Sequence, residues 1–129
     1  MLEPGLSHEK TITVTDDVAI HFLGPEVTPG LSTPATIMQL EMTAHDAVQP
    51  HLAPGQNTVG VVVNVAHLAA TPVGMKVTFR ATLTKVEDRR LTFSVEAHDE
   101  KEKIAEGTHQ RFIIDVARFA ARLKAKAGR

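Results

Sequence analysis

The spacing of apolar and polar residues changes period several times along this chain. Thr11, Ile12, Thr13 and Val14 alternate, so Lys10–Val14 reads as a strand. Asp16-Asp17 reads as a turn, and Val18–Phe22 as a second short strand or an extension of the first. Gly24, Pro25, Pro29 and Gly30 punctuate a loop, which ends at Ser32-Thr33-Pro34. A hydroxyl cap followed by proline is a helix start. From Pro34 to about Val48 the residues Ile37, Met38, Leu40, Ala44, Ala47 and Val48 recur at helical spacing, and Pro50, Pro54 and Gly55 end the run. The period then returns to two. Thr58–Ala66 is valine-rich, Met75–Val86 alternates, and Leu91, Phe93 and Val95 alternate after a turn at Glu87-Asp88-Arg89. Asp99–Lys103 is a charged turn before a last long strand, Ile104–Val116. Val116, Phe119, Ala120 and Leu123 then predict a short amphipathic helix over Val116–Lys126. Strands, one helix, then four strands with short hairpins between the last three predict an α+β fold, a curved antiparallel sheet wrapped around one long helix. One helix leaves sheet edges open, so a homodimer or higher homo-oligomer is expected.

Composition narrows the class. At 129 residues, 43% apolar and 22% charged, the chain makes one globular domain over residues 1–129. About two thirds of its extended surface can be buried, enough for a core without staples. A net charge of −1 argues against a general nucleic-acid binder. The absence of cysteine excludes disulfides, a thiol nucleophile and a thiolate metal site. No apolar run reaches membrane-span length, and the first residues do not read as a signal peptide, so no membrane association and a cytoplasmic location are expected. Phosphate-binding loops, nucleophile elbows and His-Glu-x-x-His are absent. The seven histidines include no pair with metal-ligand spacing, so neither a metal nor another cofactor is expected.

Three residues stand out for chemistry. Glu41 sits mid-helix between Ile37 and Ala44, either on a solvated face or desolvated in a pocket as a general base. His67 ends a strand whose odd positions are Val59, Val61, Val63 and Val65, so it reads as a packed core histidine or an acid–base group. Thr33 reads first as a helix cap. On an ideal helix Thr33 and Glu41 lie about 12 Å apart in rise and roughly 80° apart in azimuth. Their direct contact needs an irregular first turn or a site completed by a second subunit.

At these residues the sequence resembles the fluoroacetyl-CoA thioesterase-like family of hot-dog fold acyl-CoA thioesterases. The resemblance rests on Leu52-Ala53-Pro54-Gly55, Thr58-Val59-Gly60 and His67-Leu68-Ala69-Ala70-Thr71-Pro72, with Val95–Asp99 and Gly107-Thr108-His109-Gln110-Arg111 further on. It runs from about Thr33 to Phe119. It implies a hot-dog fold and hydrolysis of an acyl-CoA, of short chain, to free acid and CoA. It also implies a catalytic set of Thr33, Glu41 and His67, with Gly60 and Arg111 near the substrate. No phenylalanine follows Phe22 before Thr33, which points away from an aromatic lid selective for fluoroacetyl groups and toward a general acyl-CoA thioesterase. Arg111 shares one strand face with Ala105, Gly107, His109 and Ile113, where a guanidinium suits a CoA phosphate or a carbonyl. A non-catalytic acyl-CoA-binding protein is one alternative. A hydratase or dehydratase on the same fold is another, although the Asp/His pair five residues apart on a helix entry, typical of those enzymes, is not seen.

Overall fold

The computed structural model describes residues 2–128. In chain order it contains β1 (Ser7–Thr13), β2 (Ala19–Ile20), β3 (Gly30–Leu31), α1 (Thr33–Val48), β4 (Gln56–His67), β5 (Lys76–Glu87), β6 (Arg90–Asp99), β7 (Lys103–Asp115) and α2 (Val116–Lys126). Five strands form one antiparallel sheet in the order β1-β5-β6-β7-β4, and β2 pairs with β3 in a separate two-stranded ribbon. The expected second strand over Val18–Phe22 is shorter. Asp16–Val18 forms one 3₁₀ turn, only Ala19 and Ile20 pair, and Phe22 stands 81% exposed in the loop.

The core lies between α1 and the sheet's inner face. Val77, Phe79, Ala81 and Leu83 of β5 and Leu91, Phe93, Val95 and Ala97 of β6 are buried at every second position, as a half-buried sheet requires. Leu40, Ala44, Ala47 and Val48 of α1 close on them. Two buried threonines on the same helix face donate to backbone carbonyls one turn earlier, Thr36 to Ser32 and Thr43 to Gln39. These bonds remove the cost of burying a hydroxyl.

Turns set the registers. Asp88, at φ 57, carries the tight β5–β6 turn, a left-handed conformation that aspartate tolerates. In the β6–β7 turn Asp99 Oδ1 accepts the N–H groups of Lys101 and Glu102, and its Oδ2 accepts the Thr71 hydroxyl at 2.9 Å. Desolvation would raise the Asp99 carboxyl, but these three donors hold it below the ordinary value. Thr71 also receives Leu31 N–H on its own carbonyl at 2.8 Å. The Thr-Pro of the His67–Pro72 motif therefore fixes the residue pair that leads into α1.

One irregularity matters for function. β4 pairs with β7 from Gln56↔Asp115 to Gly60↔Arg111, then resumes at Val62↔Gln110. This bulge shifts the side-chain alternation by one residue. Thr58 and Gly60 share the inner face with Val63, Val65 and His67, and Val59 and Val61 do not. The single apolar face of odd-numbered valines expected from the sequence is corrected by that extra residue.

Candidate active site

Two groups of residues assemble on the inner face. The first lies at the start of α1. Ser32, and not Thr33, is the helix cap, since Ser32 Oγ accepts Ala35 N–H at 3.1 Å. Thr33 is the first helical residue, and its hydroxyl is free of capping. It lies 2.8 Å from His67 Nδ1, at the far end of β4. His67 Nε2 is buried and has no protein partner among the described residues. Beside the pair is a cavity of about 520 Å³, walled by Ile20, Phe22, Leu31, Leu68 and Ala69. It is mostly apolar, with Ser32, Thr33 and His67 as its polar lining, as small-molecule sites commonly are. The cap explanation of Thr33 therefore fails for a structural reason: the neighbouring serine already does that work.

The second group centres on Glu41, two turns further along α1. Its carboxylate accepts Arg111 Nη1 at 3.2 Å. Arg111 is almost fully buried, and its other donors are engaged too. Nε donates to Thr58 Oγ1 at 2.8 Å, Nη2 to Thr58 O at 2.9 Å, and Nη1 also meets His109 Nε2 at 3.2 Å. Burial lowers the guanidinium's proton affinity, and Glu41 opposes that shift by charge and hydrogen bond. The inner-face company expected for Arg111 is present, but its fork is turned toward Glu41 and Thr58. Gly60 is the register partner of Arg111, and a Cβ built on it would collide with Glu41 Oε2. The lack of a side chain at Gly60 makes room for the carboxylate.

Sequence reasoning did not find Thr58 or His109. Thr58 follows the polar Gln56 and Asn57 at the start of β4, so nothing in the residue pattern singles it out. His109 lies inside the Gly-Thr-His-x-Arg motif, which was its one available signal.

The two groups stay apart within one chain. No hydrogen bond or ion pair among the described residues joins Glu41 to Thr33 or His67. Seven residues of strand separate Gly60 from His67, about 20 Å at strand rise. Among the described residues no cluster of three or more His, Cys, Asp or Glu side chains suits a metal ion. Among the described residues no helix is long and apolar enough to cross a membrane.

Comparison with known proteins bears on the family and the fold. The model of the family described as fluoroacetyl-CoA-specific thioesterase (FlK) matches residues 14–117. A curated relative, the fluoroacetyl-CoA thioesterase of Streptantibioticus cattleyicolor, is 44% identical over 68 residues. That stretch is 53% of this chain and 49% of the relative, so the match spans about half the relative's length. A solved structure of the fluoroacetyl-CoA thioesterase FlK superposes with a TM-score of 0.89 at 32% identity, covering 98% of both chains. A Thermus thermophilus protein described as a thioesterase superfamily member gives 0.87 at 28%, covering 98% of this chain and 96% of that one. A hot-dog-like protein from Thermanaerovibrio acidaminovorans also gives 0.87, at 23% identity and over 95% and 91% of the two chains, and bears on the fold alone. With a five-stranded antiparallel sheet around one long helix and a family match over most of its length, this chain has the hot-dog fold and belongs to the fluoroacetyl-CoA-specific thioesterase family.

Proposed function

We propose that this chain hydrolyses short-chain acyl-CoA thioesters to the free acid and CoA, at a site made by Thr33 and His67 of one protomer and Glu41 of its partner. The observation that carries the reading is the 2.8 Å contact between Thr33 Oγ1 and His67 Nδ1, with the hydroxyl released from capping by Ser32. A hydroxyl on an imidazole nitrogen is the pairing that activates an oxygen nucleophile or orients one. His67 Nε2, buried and unpartnered, is placed to exchange a proton with the reacting group. The start of α1 brings positive helix-end potential to the same spot, where negative charge develops on the thioester oxygen. The apolar cavity of about 520 Å³ suits a small acyl group with part of the pantetheine arm.

Glu41 enters from the second subunit by a register argument. β4 is one edge of the sheet, and Val61, Val62 and Val63 on it are 48%, 42% and 43% exposed. Such an edge invites antiparallel pairing with its own copy. A two-fold placed so that Val63 faces the partner's Asn64 sets Gly60 opposite the partner's His67. Glu41, lodged against Gly60, then reaches the partner's Thr33 and His67, and the gap of about 20 Å inside one chain is closed. Arg111 and Gly60 act in this reading by holding and admitting Glu41, and not by gripping CoA phosphates.

The test is release of free thiol from acetyl-, propionyl- and fluoroacetyl-CoA by the purified protein. Turnover that Thr33→Val and His67→Ala each reduce on the order of 10²-fold in folded protein supports the reading, since that is the usual size of an acid–base or nucleophile contribution. Turnover unchanged in both variants overturns the site.

A further inference from the structure

His109 has no part in the chemistry described so far, yet its surroundings leave it one chemical form. Its ring is buried and stacks on Phe93 of β6, centroids 6.1 Å apart and planes 28° from parallel. Nδ1 lies 2.8 Å from the carbonyl oxygen of Val62, which can only accept, so Nδ1 carries a proton. Nε2 lies 3.2 Å from Arg111 Nη1, which can only donate, so Nε2 carries none. Only the neutral Nδ1–H tautomer satisfies both neighbours. Burial and the Arg111 charge both lower the proton affinity of the ring, outweighing Val62 and Glu41, which act the other way.

The two bonds have separate consequences for Glu41. Arg111 Nη1 carries two protons; the imidazole lone pair takes one, and the other is directed at Glu41 Oε2. The Val62 carbonyl belongs to the bulge that follows Gly60, so the Nδ1–H bond pins the β4 irregularity beside the carboxylate. The ring's Cε1 lies only 3.2 Å from where a Gly60 Cβ would be, so imidazole and carboxylate sit on the same glycine. We infer that His109 is a positioning residue of this site: held as the neutral Nδ1–H imidazole, it aims Arg111 at Glu41 and pins the β4 bulge that gives the carboxylate its place. This rests on the proposed role of Glu41 but makes a prediction about the imidazole that does not need turnover.

The experiment has two arms on the full-length protein. Nitrogen-15 spectra of the labelled imidazole at pH 7 should give the neutral Nδ1–H pattern for His109; an imidazolium or an Nε2–H tautomer overturns the inference. In the kinetic arm His109→Phe keeps the ring stack and loses both bonds, and kcat should fall at least about tenfold while KM stays within about threefold, as for a misplaced catalytic group. His109→Gln, whose carbonyl can accept from Arg111, should recover part of the loss. Should His109→Phe not fold, His109→Gln is compared with His109→Leu, and equal kcat in those two overturns the inference. Wild-type kcat in His109→Phe overturns it as well. If the wild-type protein releases no thiol from any acyl-CoA, the proposed function fails, and the tautomer still decides the claim about His109.

Discussion

Gly60→Ala probes the seat of Glu41 by reading activity and stability on the same protein. The new methyl group would overlap Glu41 Oε2, with Glu41 Cδ at 3.4 Å and His109 Cε1 at 3.2 Å. The backbone at Gly60 is not left-handed, so alanine carries no conformational strain there. The soft partner is the carboxylate, about a third exposed, at the end of a flexible side chain. It will swing out and lose Arg111. For stability, swinging Glu41 out leaves the buried Arg111 charge with only Thr58 and His109, a cost of about 2–3 kcal/mol once the carboxylate's exposure is discounted, and removing a strand glycine returns roughly 0.5–1 kcal/mol. The net loss is about 1–2 kcal/mol, so Tm should fall by less than about 10 °C. For activity, a loss on the order of 10²-fold, the usual size of an acid–base contribution, corresponds to about 2.7 kcal/mol of transition-state free energy. Thermal unfolding by circular dichroism and thiol release from acetyl-CoA measure the two quantities on one sample. Unchanged kcat with unchanged Tm would refute the placement of Glu41 against Gly60. A collapse of Tm with kcat retained per folded molecule would refute the claim that the side chain, and not the strand, gives way.

Other consequences are simpler to state. Ser32→Ala removes the cap of α1 and should cost about 1 kcal/mol, read as a lowered denaturant midpoint at unchanged slope; it should also reduce kcat, because Thr33 sits one residue on. Arg111→Lys cannot reproduce the fork to Thr58 and Glu41 and should lose about 2–4 kcal/mol of stability in urea unfolding, with KM for acyl-CoA nearly unchanged; a large rise in KM at full stability would instead restore the substrate-binding role. His109 titrates below its unfolded value of about 6.5, so the unfolded chain takes up a proton there first, and stability falls as pH drops below about 6.5 until the native ring also protonates. Urea midpoints between pH 7.5 and 5 should therefore decline, and less so in a folded His109→Phe variant.

What the sequence made legible follows from how local each signal is. The strands of the sheet and the extent of α1 were readable because alternation and helical spacing are properties of neighbours in the chain. Val18–Phe22 holds a shorter strand than its pattern suggests, since a short apolar run does not tell how much of it will find a partner, and only Ala19 and Ile20 pair, with β3. The bulge after Gly60 had no signal at all in a run of valines, yet it decides that Gly60 and His67 share a face. Ser32 and Thr33 are both acceptable caps by type, and the geometry of the first turn assigns the cap to Ser32 and releases Thr33 for His67. Arg111 was readable as an unusual residue on an inner face, but its target was not. Which carboxylate meets it depends on how α1 lies across β4 and β7, a tertiary fact. The helix spacing of Thr33 and Glu41 left two possibilities open, an irregular first turn or a site completed by a second subunit, and α1 is helical from Thr33 onward.

The shared site is tested most directly by mixing two inactive variants. Glu41→Gln and His67→Ala protein are each prepared, confirmed folded, combined in equal amounts, dissociated under mild denaturant and reassociated, and thiol release from acetyl-CoA is then measured. In a mixed dimer one site carries both substitutions and the other carries neither. Random reassociation of a two-fold dimer should then restore about a quarter of wild-type activity. If Glu41 and His67 instead serve the same chain, every site lacks one of them, and activity no higher than that of the separate variants contradicts the account.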